Sequence, residues 1–243
     1  MKKTMILAAA ALVAGSALAA EVLSVNAVGF IQTTCPAGEL TALSYPFYGN
    51  DSDVGGTAWT NTPIAQNATG GASVYFWNGS GWSVGQYAWN ARSQKYEWNN
   101  TAKAKILAPG ECFLYKPAEA QDAVVSGEVP DEATIPLTVA GAGALTSLGL
   151  PYPTDKAWLD TELAAAAPGG ASVYFWNGTG WSVGQYAWNA RSQKYEWNNT
   201  AKAKTLKAGE GFLYKLPADA QDAEVSCARP YDWPAEPVEI VNP

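Results

Sequence analysis

The chain has 243 residues, with 22 acidic against 15 basic side chains and no histidine. The acidic balance excludes nucleic acid and anionic lipid as partners held by bulk electrostatics. The missing imidazole excludes Ser-His-Asp and Cys-His nucleophile systems, histidine general bases and the commonest zinc ligand.

Lys2 and Lys3 precede an uncharged run over residues 5–14 and small residues ending at Ala17, Leu18 and Ala19. That is the pattern of a secretory signal peptide cleaved after Ala19. The run is short for a bilayer span, so a retained anchor is the weaker reading. Without Lys2 and Lys3 the mature chain carries a formal charge of −9. It is expected to be soluble after export to the periplasm, the cell surface or the extracellular space, with no membrane insertion. Cys35, Cys112 and Cys227 are an odd set, which in an oxidising compartment leaves at least one thiol over. A Cys35 to Cys112 bridge is the candidate pairing.

An internal repeat governs the rest. Residues 70–105, GGASVYFWNGSGWSVGQYAWNARSQKYEWNNTAKAK, return as residues 169–204 with one change, Ser80 to Thr179. The match continues more loosely, pairing residues 39–47 with 144–152, 107–116 with 206–215 and 121–126 with 221–226. The chain thus divides into a signal peptide at 1–19, modules at 20–129 and 130–230, and a tail at 231–243. An identical block inside looser flanks favours recent copying within an older duplication over selection on the block, so identity between copies is a weak pointer to function.

In chain order, residues 25–33 read as an opening strand and residues 49–71 as a loop rich in Asn, Gly, Thr and Pro. Residues 73–77 and 82–89 are aromatic and β-branched segments broken by Asn78, Gly79, Ser80 and Gly81, a strong hairpin signal. A turn at 90–94, short strands at 95–98 and 111–116, and a further strand at 123–129 complete the first module. In the second, residues 154–167 carry an N-cap at Thr154 and a stop at Pro168 and Gly169, which predicts a short helix. The fold class expected is all-β, with two tandem antiparallel β-sandwich or barrel-like modules and one short helix in the second module.

Several motifs resemble a family of uncharacterised exported bacterial β-repeat proteins. They are Val28, Gly29 and Phe30 in the opening strand, Trp77, Asn78 and Gly79 in the hairpin, Pro109, Gly110, Glu111, Cys112 and Phe113, and Gly127, Glu128 and Val129 at the close. The resemblance implies export and repeat architecture, and no activity. The chain departs from the family pattern at Cys112, where the pattern has Gly, and at Cys227 and Ala228, where the closing Gly-Glu is lost.

The aromatic hairpin offers the candidate site. On residues 82–89, Trp82, Val84, Gln86 and Ala88 share one face and Ser83, Gly85, Tyr87 and Trp89 the other, so both faces carry aromatics. The bland reading makes them core and cross-strand pairs. The sharper reading makes them an exposed platform for sugar rings or a protein surface. The candidate ligand-binding residues are Trp82, Tyr87, Trp89, Arg92 and Trp98, with their copies Trp181, Tyr186, Trp188, Arg191 and Trp197. Glu97 and Glu111, with Glu196 and Glu210, are the carboxylates that a glycoside hydrolase would need. Each is more simply an outward polar residue or a strand start. Asn-X-Ser/Thr triplets, as at Asn78, are attributed to turn chemistry rather than glycosylation.

The expectation is a non-catalytic exported protein with a structural or adhesive role, binding an extracellular glycan or protein surface or itself, with no cofactor and no metal. A pair of carbohydrate-binding modules is the alternative, and a glycoside hydrolase a distant third.

Overall fold

The computed structural model describes residues 27–49 and 56–233. The expected signal peptide and residues 234–243 of the tail lie outside the described residues. Among the described residues strand is the main regular structure, with nine strands in each module and short helices between.

The first module runs β1 (Val28–Cys35), β2 (Thr41–Tyr45), β3 (Thr57–Ala58), β4 (Ser73–Trp77), β5 (Trp82–Asn90), β6 (Lys95–Trp98), β7 (Ile106–Leu107), β8 (Glu111–Lys116) and β9 (Gln121–Glu128). The second repeats it as β10 (Thr134–Val139), β11 (Leu145–Gly149), β12 (Lys156–Ala157), β13 (Ser172–Trp176), β14 (Trp181–Asn189), β15 (Lys194–Trp197), β16 (Thr205–Leu206), β17 (Gly211–Lys215) and β18 (Ala223–Ala228). In each module an antiparallel set of five strands, β2-β8-β4-β5-β6 or β11-β17-β13-β14-β15, faces a two-stranded ribbon, β1-β9 or β10-β18, and the two sets join through β8 and β11 into one ten-stranded sheet. Tyr45 ties sheet to ribbon by donating its hydroxyl to the Ser126 carbonyl at 2.7 Å. Each module has its own buried cluster.

Turn chemistry fixes the β4-β5 hairpin. Asn78 Oδ1 accepts from the Ser80 and Gly81 amides at 3.1 and 2.9 Å, and Gly79 takes φ 95°, a left-handed conformation that suits glycine. The helices are one turn each: α1 (Pro63–Gln66), α2 (Asn100–Lys103), α3 (Glu162–Ala165) and α4 (Asn199–Lys202). Thr62, Asn99, Thr161 and Asn198 cap them, each side chain accepting an amide three residues on. The expected second-module helix is present as α3, capped by Thr161 rather than Thr154. The interval read as loop in the first module holds its counterpart α1, preceded by a 3-10 turn at Trp59–Asn61. The reason is burial: the Trp59 indole is wholly enclosed, with Phe76, Trp98 and Phe113 edge-on at 5.3 to 5.5 Å. Trp158 repeats this in the second module.

The modules meet where β2 and β8 lie against β11 and β17. The contacts are reciprocal. Leu43 bridges Glu210 and Leu148 bridges Glu111. The Ser44 amide donates to the Gly209 carbonyl and the Gly149 amide to that of Gly110, both at 2.7 Å. The Trp77 indole donates to the Leu145 carbonyl at 2.9 Å and the Trp176 indole to that of Leu40 at 2.8 Å. Central strands are therefore buried on both faces: Phe113 and Tyr115 of β8 enter the core, while Cys112 and Leu114 are buried outside it.

The linker at 130–133 is held as well. Tyr231 donates to the Pro130 carbonyl at 2.8 Å, Tyr152 to that of Glu132 at 2.9 Å, and Arg229 to that of Asp131.

Candidate functional site

The β5-β6 hairpin extends beyond the core it starts in, and burial along it falls off with distance. On its inward face Gly85 is buried against Val74 and Ala102, Tyr87 is half-buried, and Trp89 is 53% exposed. Cross-strand pairing sets Tyr87 opposite Trp98 and Trp89 opposite Tyr96. The rings form a chain from solvent to core: Trp89 to Tyr96 edge-on at 5.5 Å, Tyr96 to Tyr87 at 5.8 Å, Tyr87 to Trp98 at 5.2 Å. The Tyr96 ring lies on the Gly70 backbone, where any Cβ would overlap the edge of the ring at Cε1. The second module reproduces the chain through Trp188, Tyr195, Tyr186 and Trp197, with Trp188 57% exposed.

Of the expected platform residues, then, Trp89 and Trp188 are open to solvent, and exposed Arg92 and Arg191 sit in the adjoining turns. Their partners Tyr96 and Tyr195 are exposed too, and were not among the expected site residues. Tyr87 and Tyr186 are half-buried supports. Trp82 and Trp181 are half-buried on the other face, edge-on to Trp77 and Trp176 at 5.2 Å. Trp98 and Trp197 are corrected: each is 5% exposed, and each donates its indole inward, to the carbonyl of Ala65 at 3.0 Å or of Ala164 at 3.2 Å. They are core residues, each packed edge-on against the central tryptophan of its module, Trp59 at 5.3 Å or Trp158 at 5.2 Å.

The Cys35 to Cys112 pairing is also corrected. Cys35, Cys112 and Cys227 are three free buried thiols. Cys35 points into the first core, Cys227 into the second and Cys112 into the contact between modules.

The outward face of each hairpin carries ion pairs. Glu97 pairs with Lys103 at 2.8 Å and Lys95 at 3.6 Å, and Glu196 with Lys202 at 3.1 Å and Lys194 at 3.5 Å. Hydrogen bonds from Lys103 and Ser93 hold the Glu97 carboxyl down to about 2, and bonds from Ser192 and Lys202 do the same for Glu196. Such carboxylates stay ionised, the reverse of what a general acid requires. Glu111 and Glu210 are bound to Lys105 and Lys204. In the second module a shallow groove of about 450 Å³ runs beside Trp188, with Gln185, Asn189, Asn198, Asn199 and the Glu196–Lys202 pair along it.

No protein-family model, no curated protein and no solved structure matches the chain.

Proposed function

We propose that the chain is a non-catalytic exported protein that binds through two copies of one aromatic face, in a structural or adhesive role at the cell surface or outside the cell. The observation that carries this reading is the exposed pair, Trp89 on Tyr96 and Trp188 on Tyr195, built alike in both modules. A half-exposed indole held edge-on by a tyrosine, beside an exposed arginine, has the composition of an anchor that a partner covers. Two such faces on one chain raise avidity for a repeating ligand that reaches both. The signal-peptide pattern and the resemblance to exported β-repeat proteins support the same compartment.

The groove beside Trp188 favours carbohydrate as a second reading for the ligand. Gln185, Asn199 and the Glu196–Lys202 pair would supply polar groups for hydroxyls, and the Trp188 indole apolar surface for a ring. A glycan array with mature protein, run beside sedimentation over a range of protein concentrations, tests both readings. Glycan binding lost in a Trp89→Ala/Trp188→Ala variant supports the sugar reading. Self-association lost in that variant supports the adhesive one. If neither binding nor association depends on these two residues, the aromatic faces are not the site.

A further inference from the structure

Strand parity sorts the meeting strands cleanly. Leu43, Phe113, Leu148 and Phe212 point into their own cores, so their neighbours Ser44, Cys112, Gly149 and Gly211 point into the contact between modules. The two-fold relation of the contacts sets each position against its own counterpart in the repeat, Ser44 against Gly149 and Cys112 against Gly211. In both pairs the first module supplies the side chain and the second supplies the space. A Cβ on Gly149 would fall on the Ser44 Cβ and Oγ. A Cβ on Gly211 would overlap the Cys112 sulfur and lie 3.0 Å from the Cys112 Cβ. The departure from the repeat pattern at Cys112 and the exchange of Ser for Gly at 149 therefore fall on the axis where like residues would collide.

We infer that this seam is a recognition surface that accepts only an unlike module: the first module fits the second, and two like modules do not fit each other. Two first-module faces would bring Ser44 onto Ser44 and Cys112 onto Cys112, with no room for either pair. Two second-module faces would meet glycine to glycine and leave the volume of two side chains unfilled, which a packed interface does not tolerate without loss. Both indole clasps and both backbone bridges are alike in the two modules and do not discriminate, so selectivity rests first on these pairs. One further difference adds to it: buried Ser147 donates to the Cys112 carbonyl at 2.9 Å, and its counterpart Ala42 has no hydroxyl. The fit keeps the two aromatic faces in one fixed relation and denies the seam of one chain to the like module of another.

The test uses the full chain. Gly149→Ser/Gly211→Cys gives the second module the first module's seam, so that like meets like. Adding Ser44→Gly/Cys112→Gly moves both side chains to the opposite side and restores the wild-type composition. The like-seam variant is expected to show a large fall in the urea midpoint or a loss of soluble yield. The full exchange is expected to recover at least half of that loss and to sediment as the wild type does. Recovery supports the inference even if the like-seam variant fails to fold. A full exchange no better than the like-seam variant, or a like-seam variant as stable as wild type, overturns it.

Discussion

Replacing Trp98 and replacing Trp89 should have opposite characters, although they are two tryptophans of one hairpin. Trp98 touches Trp59 at 5.3 Å and Tyr87 at 5.2 Å, and donates its indole proton to the buried Ala65 carbonyl. Truncating it to alanine removes a core aromatic and leaves that carbonyl without its donor, a combined cost of about 4–6 kcal/mol. That is comparable to the whole stability of many domains. Trp89 has one ring contact, with Tyr96, and over half its surface is already in water. Its truncation forfeits roughly 0.5–1.5 kcal/mol. Urea unfolding followed by far-ultraviolet circular dichroism separates the two, since the midpoint of the transition reports stability whatever the replaced indole contributes to its amplitude. Trp98→Ala should unfold its module at a far lower midpoint, and Trp89→Ala should stay within a small step of wild type. Equal costs for the two would mean that the hairpin does not run out beyond the core, and the exposed face would go with it.

Further outcomes follow from the same geometry. Burial pushes the Cys112 and Cys227 thiols up to about 12 and raises that of Cys35, so iodoacetamide should modify none in the native protein and three after denaturation. A Cys35 to Cys112 bridge would leave one modifiable thiol instead. The Glu97 and Glu196 carboxyls titrate lower in the folded chain than in the unfolded one. Their contribution to stability is therefore complete above the ordinary carboxylate range and lost as pH falls towards about 2. Carboxyl resonances followed by NMR should show that low midpoint, and Lys103→Ala should raise the one for Glu97. Gly85→Ala would set a Cβ 2.7 Å from Val74 Cγ1 and 2.8 Å from Ala102 Cβ. It should cost about 1–3 kcal/mol by thermal melt, while Gly81→Ala, with open space around it, should cost little.

The strands were the legible part of the sequence. Residues 73–77, 95–98 and 111–116 were bounded as the structure has them, because each is a short aromatic or apolar run between turn residues. The tryptophan at the centre of each core was not legible, because Trp59 and Trp158 enter from 3-10 turns that carry no periodicity. A signal existed in the repeat: Trp59 and Thr62 stand 99 residues before Trp158 and Thr161, a match that survives although the residues around it differ. Parity also misled in one respect. It put Tyr87 and Trp89 on one face, correctly, and gave that face a single environment. The structure grades it from buried to exposed, because the strand outlasts the core beneath it. The seam was hidden altogether, since residues 41–45 carry no strand signal of their own and residues 111–116 read as an ordinary strand, and only assembly of the two modules shows why both faces of these strands are buried.

The fold accounts for much of the identity between the two copies, and the remainder is where the question of function now sits. Gly70 lies under Tyr96, Gly85 under Ala102, Trp77 reaches the other module, Asn78 and Asn99 hold turns, and Trp98 fills the core. Each would be kept in both copies for structural reasons alone. No such reason holds Gln86, Ala88, Trp89 and Arg92, which are exposed and yet identical to Gln185, Ala187, Trp188 and Arg191. Copying and selection on a binding face both produce that identity, and the gene separates them. If the block was copied recently, synonymous codons at exposed and buried positions alike should match between the repeats. If the face is maintained by use, codons should have drifted apart while the exposed residues stayed fixed. Matching codons would leave the aromatic faces as inherited surface, and their claim to function would rest on the binding experiment alone.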